Sequence, residues 1–466
     1  MKRYFFGSSP RAVATFVCYV VNGSDQRARE LLEHELERSQ FDRRDRDLAT
    51  ELVYGAVRRR GTLDHLLARV SSIPLRKIQP RVLEILRIGA YQLLFLDKVP
   101  ASAAVNEAVT IARRVATPKG AGFVNACLRT LARAIVAKRG EQGSDPRCAV
   151  PVGEGAWCVL DRPLLPSPTA SPAKYLAAAY SHPEWLVQRW LARLGEAKTR
   201  ELCDHDNTHA GVVLRVNRLR TTRDDLVAEV IRSGRWARPI GTEHVLVDQG
   251  GALDELAALR DGLCTVQGVA ASAAAPLLDP QPGERVLDVC SAPGSKACQI
   301  AELAKGQAEV VALDLSPKRL KQVAENVKRL GARTVWPVAG DGASCAALFR
   351  AEFDAVLVDA PCSNTGVLSR RVESRWRITP ERIRELAQLQ RRLLGSAASV
   401  ARPGGRLVYS TCSLEPEENE LVVESLCAEQ ADWKVVSSRC ILPSETNDDG
   451  GYVALLQRAG RGSTGG

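Results

Sequence analysis

Two cysteines set 50 residues apart occupy matching surroundings: Cys362 within Asp359-Ala360-Pro361-Cys362-Ser363, and Cys412 within Tyr409-Ser410-Thr411-Cys412-Ser413. An ionised thiol is a strong nucleophile, so residue type alone makes both candidates for covalent chemistry. Each follows a short apolar run, Phe353 to Val358 and Arg406 to Val408, whose pattern predicts a buried parallel strand. Both thiols then stand at strand ends. In open α/β sheets ligands bind in the crevice beyond the carboxyl ends of the strands, so the pair faces one substrate site. The alternative for either residue alone is a buried structural cysteine, a common use of this side chain.

The elements that must carry such a site lie upstream. Pro282-Gly283-Glu284-Arg285-Val286-Leu287-Asp288-Val289-Cys290-Ser291-Ala292-Pro293-Gly294-Ser295-Lys296 reads as strand, acidic residue and tight turn, followed by a helix from Ala297 to Ala304. Gly294 lets the backbone turn sharply and approach a ligand, because no Cβ intervenes. A second strand, Glu309 to Leu313, ends in Asp314, where a carboxylate can accept hydrogen bonds from ribose hydroxyls. Neither a G-x-G-x-x-G turn nor a phosphate loop is present. A ligand with a ribose and no phosphate cradle suits S-adenosylmethionine. Asp341, in Gly340-Asp341-Gly342 after a strand near Thr334 to Val338, is placed to meet the adenine. Each acidic strand end taken singly is also a reasonable helix cap. Asp288, Asp314, Asp341 and Asp359 in register favour a ligand site.

These motifs resemble the RNA cytosine-5 methyltransferases over residues 172 to 456, and the whole chain resembles the bacterial RsmB/Sun (Fmu) family, whose substrate is 16S ribosomal RNA. The most specific pieces are Asp288 to Lys296, Asp359 to Gly366 and Tyr409 to Asn419. The resemblance implies that Cys290, Ser291, Ala292, Pro293, Gly294, Ser295 and Lys296, with Asp314, Asp341 and Asp359, hold S-adenosylmethionine. It also implies that Cys412 is the nucleophile and that Cys362 assists product release. DNA cytosine-5 methyltransferases instead use the Pro-Cys cysteine as nucleophile, and the Thr-Cys-Ser motif at Cys412 decides between the two assignments. Lys296 is a candidate cation beside Cys412, or else a solvent-facing lysine at a helix start. Asp359 is a candidate contact to the cytosine ring nitrogen or amino group.

Some positions depart from the family pattern. Ser291 and Ser295 replace an alanine and a glycine, and a positive φ at Ser295 would carry modest strain. In Thr265-Val266-Gln267-Gly268-Val269-Ala270-Ala271-Ser272 the family's acidic pair is missing.

The amino-terminal half has helical spacing throughout: Arg11 to Val21, Ala28 to Arg38, Asp45 to Arg60, Leu63 to Val70, Pro80 to Leu96, Ala104 to Val115 and Ala121 to Ala137. Val82 to Leu93 and Ala104 to Val109 resemble the NusB-type RNA-binding fold. Arg58-Arg59-Arg60 is either a phosphate contact or a solvated helix face. Residues 142–171, rich in Pro, Gly and Ser, read as a linker. The expected layout is multidomain. An all-α NusB-like domain spans 1–141, and a small α+β RNA-binding module spans 172–261. An α/β Rossmann-like methyltransferase domain spans 262–457, and a disordered tail covers 458–466.

Composition fits this layout. The 64 Lys and Arg against 54 Asp and Glu leave a formal charge of +10, which favours a polyanionic partner without selecting a sequence. Thirteen cysteines beside catalytic motifs point to a reducing cytoplasm rather than a disulfide framework. The Met1-Lys2-Arg3 start, with Arg11 interrupting the apolar stretch, reads as a first core helix rather than a signal peptide. No apolar run reaches the roughly 20 residues of a membrane span. Cys203, His205 and His209 have ligand-like spacing but no fourth ligand, so no metal is expected. The resulting expectation is a monomeric, cytoplasmic 16S ribosomal RNA cytosine-5 methyltransferase. The alternatives are an enzyme acting on another RNA and a non-catalytic RNA-binding assembly factor.

Overall fold

The apolar spacing of the amino-terminal half becomes seven helices, Pro10–Gly23, Ala28–Glu37, Arg43–Arg58, Arg60–Val70, Pro80–Phe95, Ala101–Val115 and Pro118–Ala134. This computed structural model describes residues 6–208, 211–248, 253–350 and 352–460; the Met1-Lys2-Arg3 start, His209 and residues 461–466 lie outside the described residues. Proline at the first turn presets φ in Pro10–Gly23, Pro80–Phe95 and Pro118–Ala134. Ser9, Asp42 and Thr117 cap three of the helices by accepting from Ala12, Asp45 and Gly120 N–H. Pro80–Phe95 is buried on nearly every side and forms the centre of the bundle. Helix Arg43–Arg58 approaches it so closely that a Cβ on Gly55 would lie 2.0 Å from the Tyr91 ring.

The chain divides into two compact units, 1–208 with 369–377 and 209–368 with 378–466. In the first, two of the three arginines of the basic run lie off the solvated face, while Arg60 keeps 28% of its side chain exposed. Arg58 and Arg59 are each only 5% exposed. The Arg59 guanidinium stacks over Phe95 at 4.9 Å, and burial pulls its pKa down to about 10. The stretch read as a linker is also ordered. β1 (Ile135–Gly140), β2 (Ala149–Gly153) and β3 (Ala156–Leu160) form an antiparallel sheet in the order β1-β3-β2. The helix expected to reach Ala137 stops at Ala134 to feed β1. Strands of five or six residues joined by a turn with positive φ at Gly153, Glu154 and Gly155 leave too few alternations to stand out. Helices Pro172–Tyr180 and Glu184–His205 follow in the same unit, and Cys203 is buried there.

The segment 369–377 completes this first unit. Arg375, fully buried, donates to the carbonyls of Arg58, Ser181 and Asp206 and to Asn207 Oδ1 at 2.8–3.2 Å. Trp376 Nε1 donates to Val57 O at 2.7 Å.

The second unit holds two sheets. β4 (Val212–Val216), β5 (Ala237–Ile240), β6 (His244–Val247) and β7 (Cys264–Val266) make a small antiparallel sheet, ordered β5-β6-β4-β7. β7 lies beyond the Asp261 boundary drawn from sequence, so the small sheet extends past it. The buried Arg215–Glu302 pair and Asn217, whose Nδ2 donates to Leu330 O at 2.8 Å, tie this sheet to helices Ser295–Leu303 and Pro317–Leu330.

That larger sheet comprises β8 (Arg285–Val289), β9 (Glu309–Asp314), β10 (Val335–Ala339), β11 (Phe353–Asp359), β12 (Ala401–Thr411), β13 (Trp433–Ile441) and β14 (Gly451–Arg458). Its order is β10-β9-β8-β11-β12-β14-β13, parallel through β12 and antiparallel beyond. Both faces are covered, which is why the strands read as continuous apolar runs. Leu287, Val289, Val356 and Val358 pack with helices Pro380–Ser399 and Glu420–Glu429. Val286, Ala355 and Leu357 point the other way, towards Ser295–Leu303 and Pro317–Leu330. Arg458, placed in the tail from sequence, instead ends β14 and pairs with Asp432 at 2.7 Å.

Candidate active site

Four neighbouring parallel strands deliver the sequence-predicted residues to one edge of the large sheet. β8 ends at the Cys290 to Lys296 loop, β9 ends at Asp314, β10 runs into Asp341, and β11 ends at Asp359. In the first loop the left-handed backbone falls on Cys290 (φ 62°) and Gly294 (φ 93°), not on Ser295, which opens helix Ser295–Leu303. The serine therefore carries no backbone strain. Gly294 is required twice, since a Cβ there would also sit 2.9 Å from Val323 Cγ1.

The acidic residues differ in what already holds them. Asp314 accepts from Ala292 N at 3.1 Å and Ser316 N at 3.0 Å, fixing the loop, and pairs with Arg319 at 3.3 Å. Asp341 is exposed and caps the turn that follows by accepting from Ala343 N at 2.9 Å. Asp288 is fully buried. Its Oδ2 accepts from Ser291 Oγ at 2.6 Å, while its Oδ1 has no partner. Burial raises this carboxyl to about 7.

The sign of the resulting pH dependence follows. The folded chain keeps a proton on Asp288 that the unfolded chain releases near pH 4, so this stabilisation is full below about pH 4 and lost as pH rises through about 7. Asp288→Asn is expected to flatten the fall in thermal midpoint of the ligand-free protein between about pH 5 and about pH 8. Equal slopes in the two proteins would refute a neutral Asp288.

The two thiols meet. Cys362 Sγ and Cys412 Sγ are 3.1 Å apart, across the ends of paired β11 and β12. Gly366 N donates to Cys412 O at 2.9 Å, locking one loop to the other, and a Cβ on Gly366 would lie 2.6 Å from Gly450 O. Asn364, in left-handed conformation (φ 65°), donates to Cys362 O at 2.9 Å and accepts from the Cys412 thiol at 3.2 Å. The contact with Cys412, then burial, push the Cys362 thiol well above its ordinary value, and the Glu418 charge adds to this. The pair therefore keeps at least one proton between its two sulfurs.

Lys296 is not a solvent-facing lysine. Its Nζ reaches Asp359 Oδ2 at 2.7 Å, and Ser410 Oγ donates to Asp359 Oδ1 at 3.0 Å. Burial works against the ammonium, but Asp359 outweighs it, so the Lys296 pKa rises and the charge persists.

Several residues here carry no signal that a reading of strand ends detects. Glu418 and Gln390 lie beneath the thiol loops, and both are fully buried. Asp448 faces the Gln267-Gly268-Val269 turn, accepting from Val269 N at 2.8 Å. A Cβ on Gly268 would stand 2.6 Å from its Oδ2, so the acidic group at this turn comes from the far end of the chain.

With this geometry in place, similarity to known proteins is extensive. Residues 275–457 match the family described as 16S rRNA methyltransferase RsmB/F, residues 8–133 the NusB family, and residues 182–252 the RsmF/B-like ferredoxin-like domain. A Synechocystis protein named "Probable ribosomal RNA small subunit methyltransferase B" is 34% identical over 97% of this chain and 100% of its own length. The Vibrio cholerae ribosomal RNA small subunit methyltransferase B is 32% identical over 89% of this chain and 90% of its own. Among solved structures, that of PH0851 superposes with a TM-score of 0.75 over 96% of this chain and 99% of that one, at 24% identity.

Proposed function

The chain belongs to the RsmB/F family of 16S ribosomal RNA methyltransferases, and on that premise we propose that it methylates carbon 5 of a cytosine in 16S RNA through a covalent adduct with Cys412. The observation that carries this reading is the thiol pair 3.1 Å apart at adjacent strand ends. A methyltransferase acting on a good nucleophile has no need of it. Carbon 5 of cytosine is a poor nucleophile, and a thiolate added at carbon 6 supplies the missing electron density.

The residues at the cofactor edge fit S-adenosylmethionine. The glycine turn at Gly294 admits close backbone approach, Asp314 stands at the end of β9, and the unpartnered Asp288 Oδ1 becomes a buried acceptor for a cationic ligand once its proton is released. When bound, that cofactor supplies an electrophilic methyl group. We assign Cys290 to Lys296, Asp314, Asp341 and Asp359 to holding it.

The remaining steps fall to the protein. Cys412 gives up its proton to solvent and its sulfur bonds to carbon 6 of the base as the carbon 5–carbon 6 double bond opens, with the Lys296 cation nearby favouring the thiolate. Asp359, oriented by Lys296 and Ser410, accepts a hydrogen bond from the cytosine amino group and so holds the ring in place for attack. After carbon 5 is methylated its hydrogen leaves as a proton to a solvent water, the carbon 5–carbon 6 double bond re-forms, and Cys412 departs as a thiolate, with Cys362 assisting release by returning a proton to it.

The protein is proposed to act as a monomer in the cytoplasm, on free or partly assembled small-subunit RNA. All thirteen cysteines are free thiols, which suits a reducing compartment. Among the described residues no helix is long and apolar enough to cross a membrane. Bisulfite sequencing of 16S RNA from cells with and without the gene tests the substrate. One protected cytosine is expected to be lost and then restored by the wild-type gene. An unchanged 16S pattern would refute the target and turn the search to transfer RNA and large-subunit RNA.

A further inference from the structure

Each thiol is followed by a serine, and one buried carboxylate holds both serines. Glu418, in the short turn Pro416–Glu418, is fully buried. Its Oε1 accepts from Ser363 N at 2.8 Å and from Gln390 Nε2 at 3.1 Å. Its Oε2 accepts from Ser413 Oγ at 2.5 Å and from Ser363 Oγ. The two hydroxyls also lie 3.2 Å apart. Gln390 donates again to Pro361 O at 2.8 Å, so its amide ties the residue before Cys362 to the same carboxylate. Glu418 is itself anchored, because Tyr409 on β12 donates to its carbonyl at 2.6 Å.

Burying a carboxylate is costly and is offset only when its oxygens are fully satisfied. Here three elements supply four donors: the loop after β11, the loop after β12, and helix Pro380–Ser399. Charge-assisted bonds of this kind are short and directional, so they fix position as well as adding stability. We propose that Glu418 is a positioning residue that sets the approach of Cys362 to Cys412 by clamping Ser363 and Ser413. Its effect on turnover rests on the cytosine-5 reading above; its effect on the thiol pair does not.

The test uses the full chain equilibrated with graded ratios of glutathione and glutathione disulfide. Each Cys362–Cys412 bond formed gives up two electrons and two protons, reducing one glutathione disulfide to two glutathiones. After free thiols are blocked, mass spectrometry measures the fraction paired. Glu418→Ala should lower the tendency to pair by at least about 10-fold, and kcat by about 100-fold with KM for RNA little changed, as expected for a misplacement near 1 Å. Glu418→Gln should recover most of the pairing, because the serine hydroxyls can rotate to accept from its amide. Ser363→Ala with Ser413→Ala should reproduce the loss while leaving Glu418 in place. Wild-type pairing in Glu418→Ala, or a Glu418→Gln protein no better than Glu418→Ala, would overturn the clamp. A wild-type protein that methylates no cytosine would strike the function reading, and the pairing measurement would still decide the clamp.

Discussion

Replacing Cys412 by alanine is expected to abolish methyl transfer while binding of RNA and cofactor persists. Removing a covalent nucleophile costs about 10⁴-fold or more in kcat, because the rest of the site cannot create the bond the reaction passes through. The neighbouring thiol is a poor substitute. Cys362 lies 3.1 Å away, and in the variant, where the Cys412 contact is gone, burial and the Glu418 charge still raise its pKa. Asn364, which accepts from Cys412, is bonded to the backbone carbonyl of Cys362 rather than to its sulfur. Single-turnover transfer of a labelled methyl group to 16S RNA measures the loss. Residual activity within about 100-fold of wild type would mean that Cys412 is not the nucleophile.

The companion substitution has the opposite signature. With Cys362→Ala, Cys412 can still add to the base and the methyl group can still be accepted, but release is impaired. A protein–RNA species that survives a denaturing gel should then accumulate, approaching one adduct per active site, whereas the wild-type protein should show little. The 3.1 Å approach of Cys362 to Cys412 supports this division of labour, since the second thiol then stands beside the carbon–sulfur bond that must break. Trapping with Cys412→Ala instead would exchange the two roles.

How far the sequence reveals this site depends on the range of the interaction. The strands before Cys362 and Cys412 are visible because runs such as Ala355-Val356-Leu357-Val358 must be apolar on both faces of a covered sheet. The seven amino-terminal helices are visible because each repeats its apolar face over several turns. The sheet of β1, β2 and β3 is hidden by strands too short to show a period. Arg58 and Arg59 mislead because composition cannot say which arginines will be covered by Phe95 or by the returning segment 369–377. Glu418 illustrates the last limit. It stands in a motif that is easily noticed, yet its contacts with Ser363 and Gln390 span 55 and 28 residues and exist only once the loops have folded together.

The path of the chain through Ser369–Arg377 also governs when the protein can finish folding. The bonds from Arg375 to Ser181, Asp206 and Asn207 link residues 168 to 194 positions apart, and its bond to Arg58 spans 317. During synthesis the amino-terminal helices emerge first, yet their bonds to Arg375 cannot form until residue 377 has left the ribosome. By then the Pro-Cys loop has also been made. The helical unit is therefore not a free-standing bead that matures ahead of the catalytic half. Contacts of such long range are slow to form, so completion of the helical unit waits on translation of the strand and loop that carry Cys362.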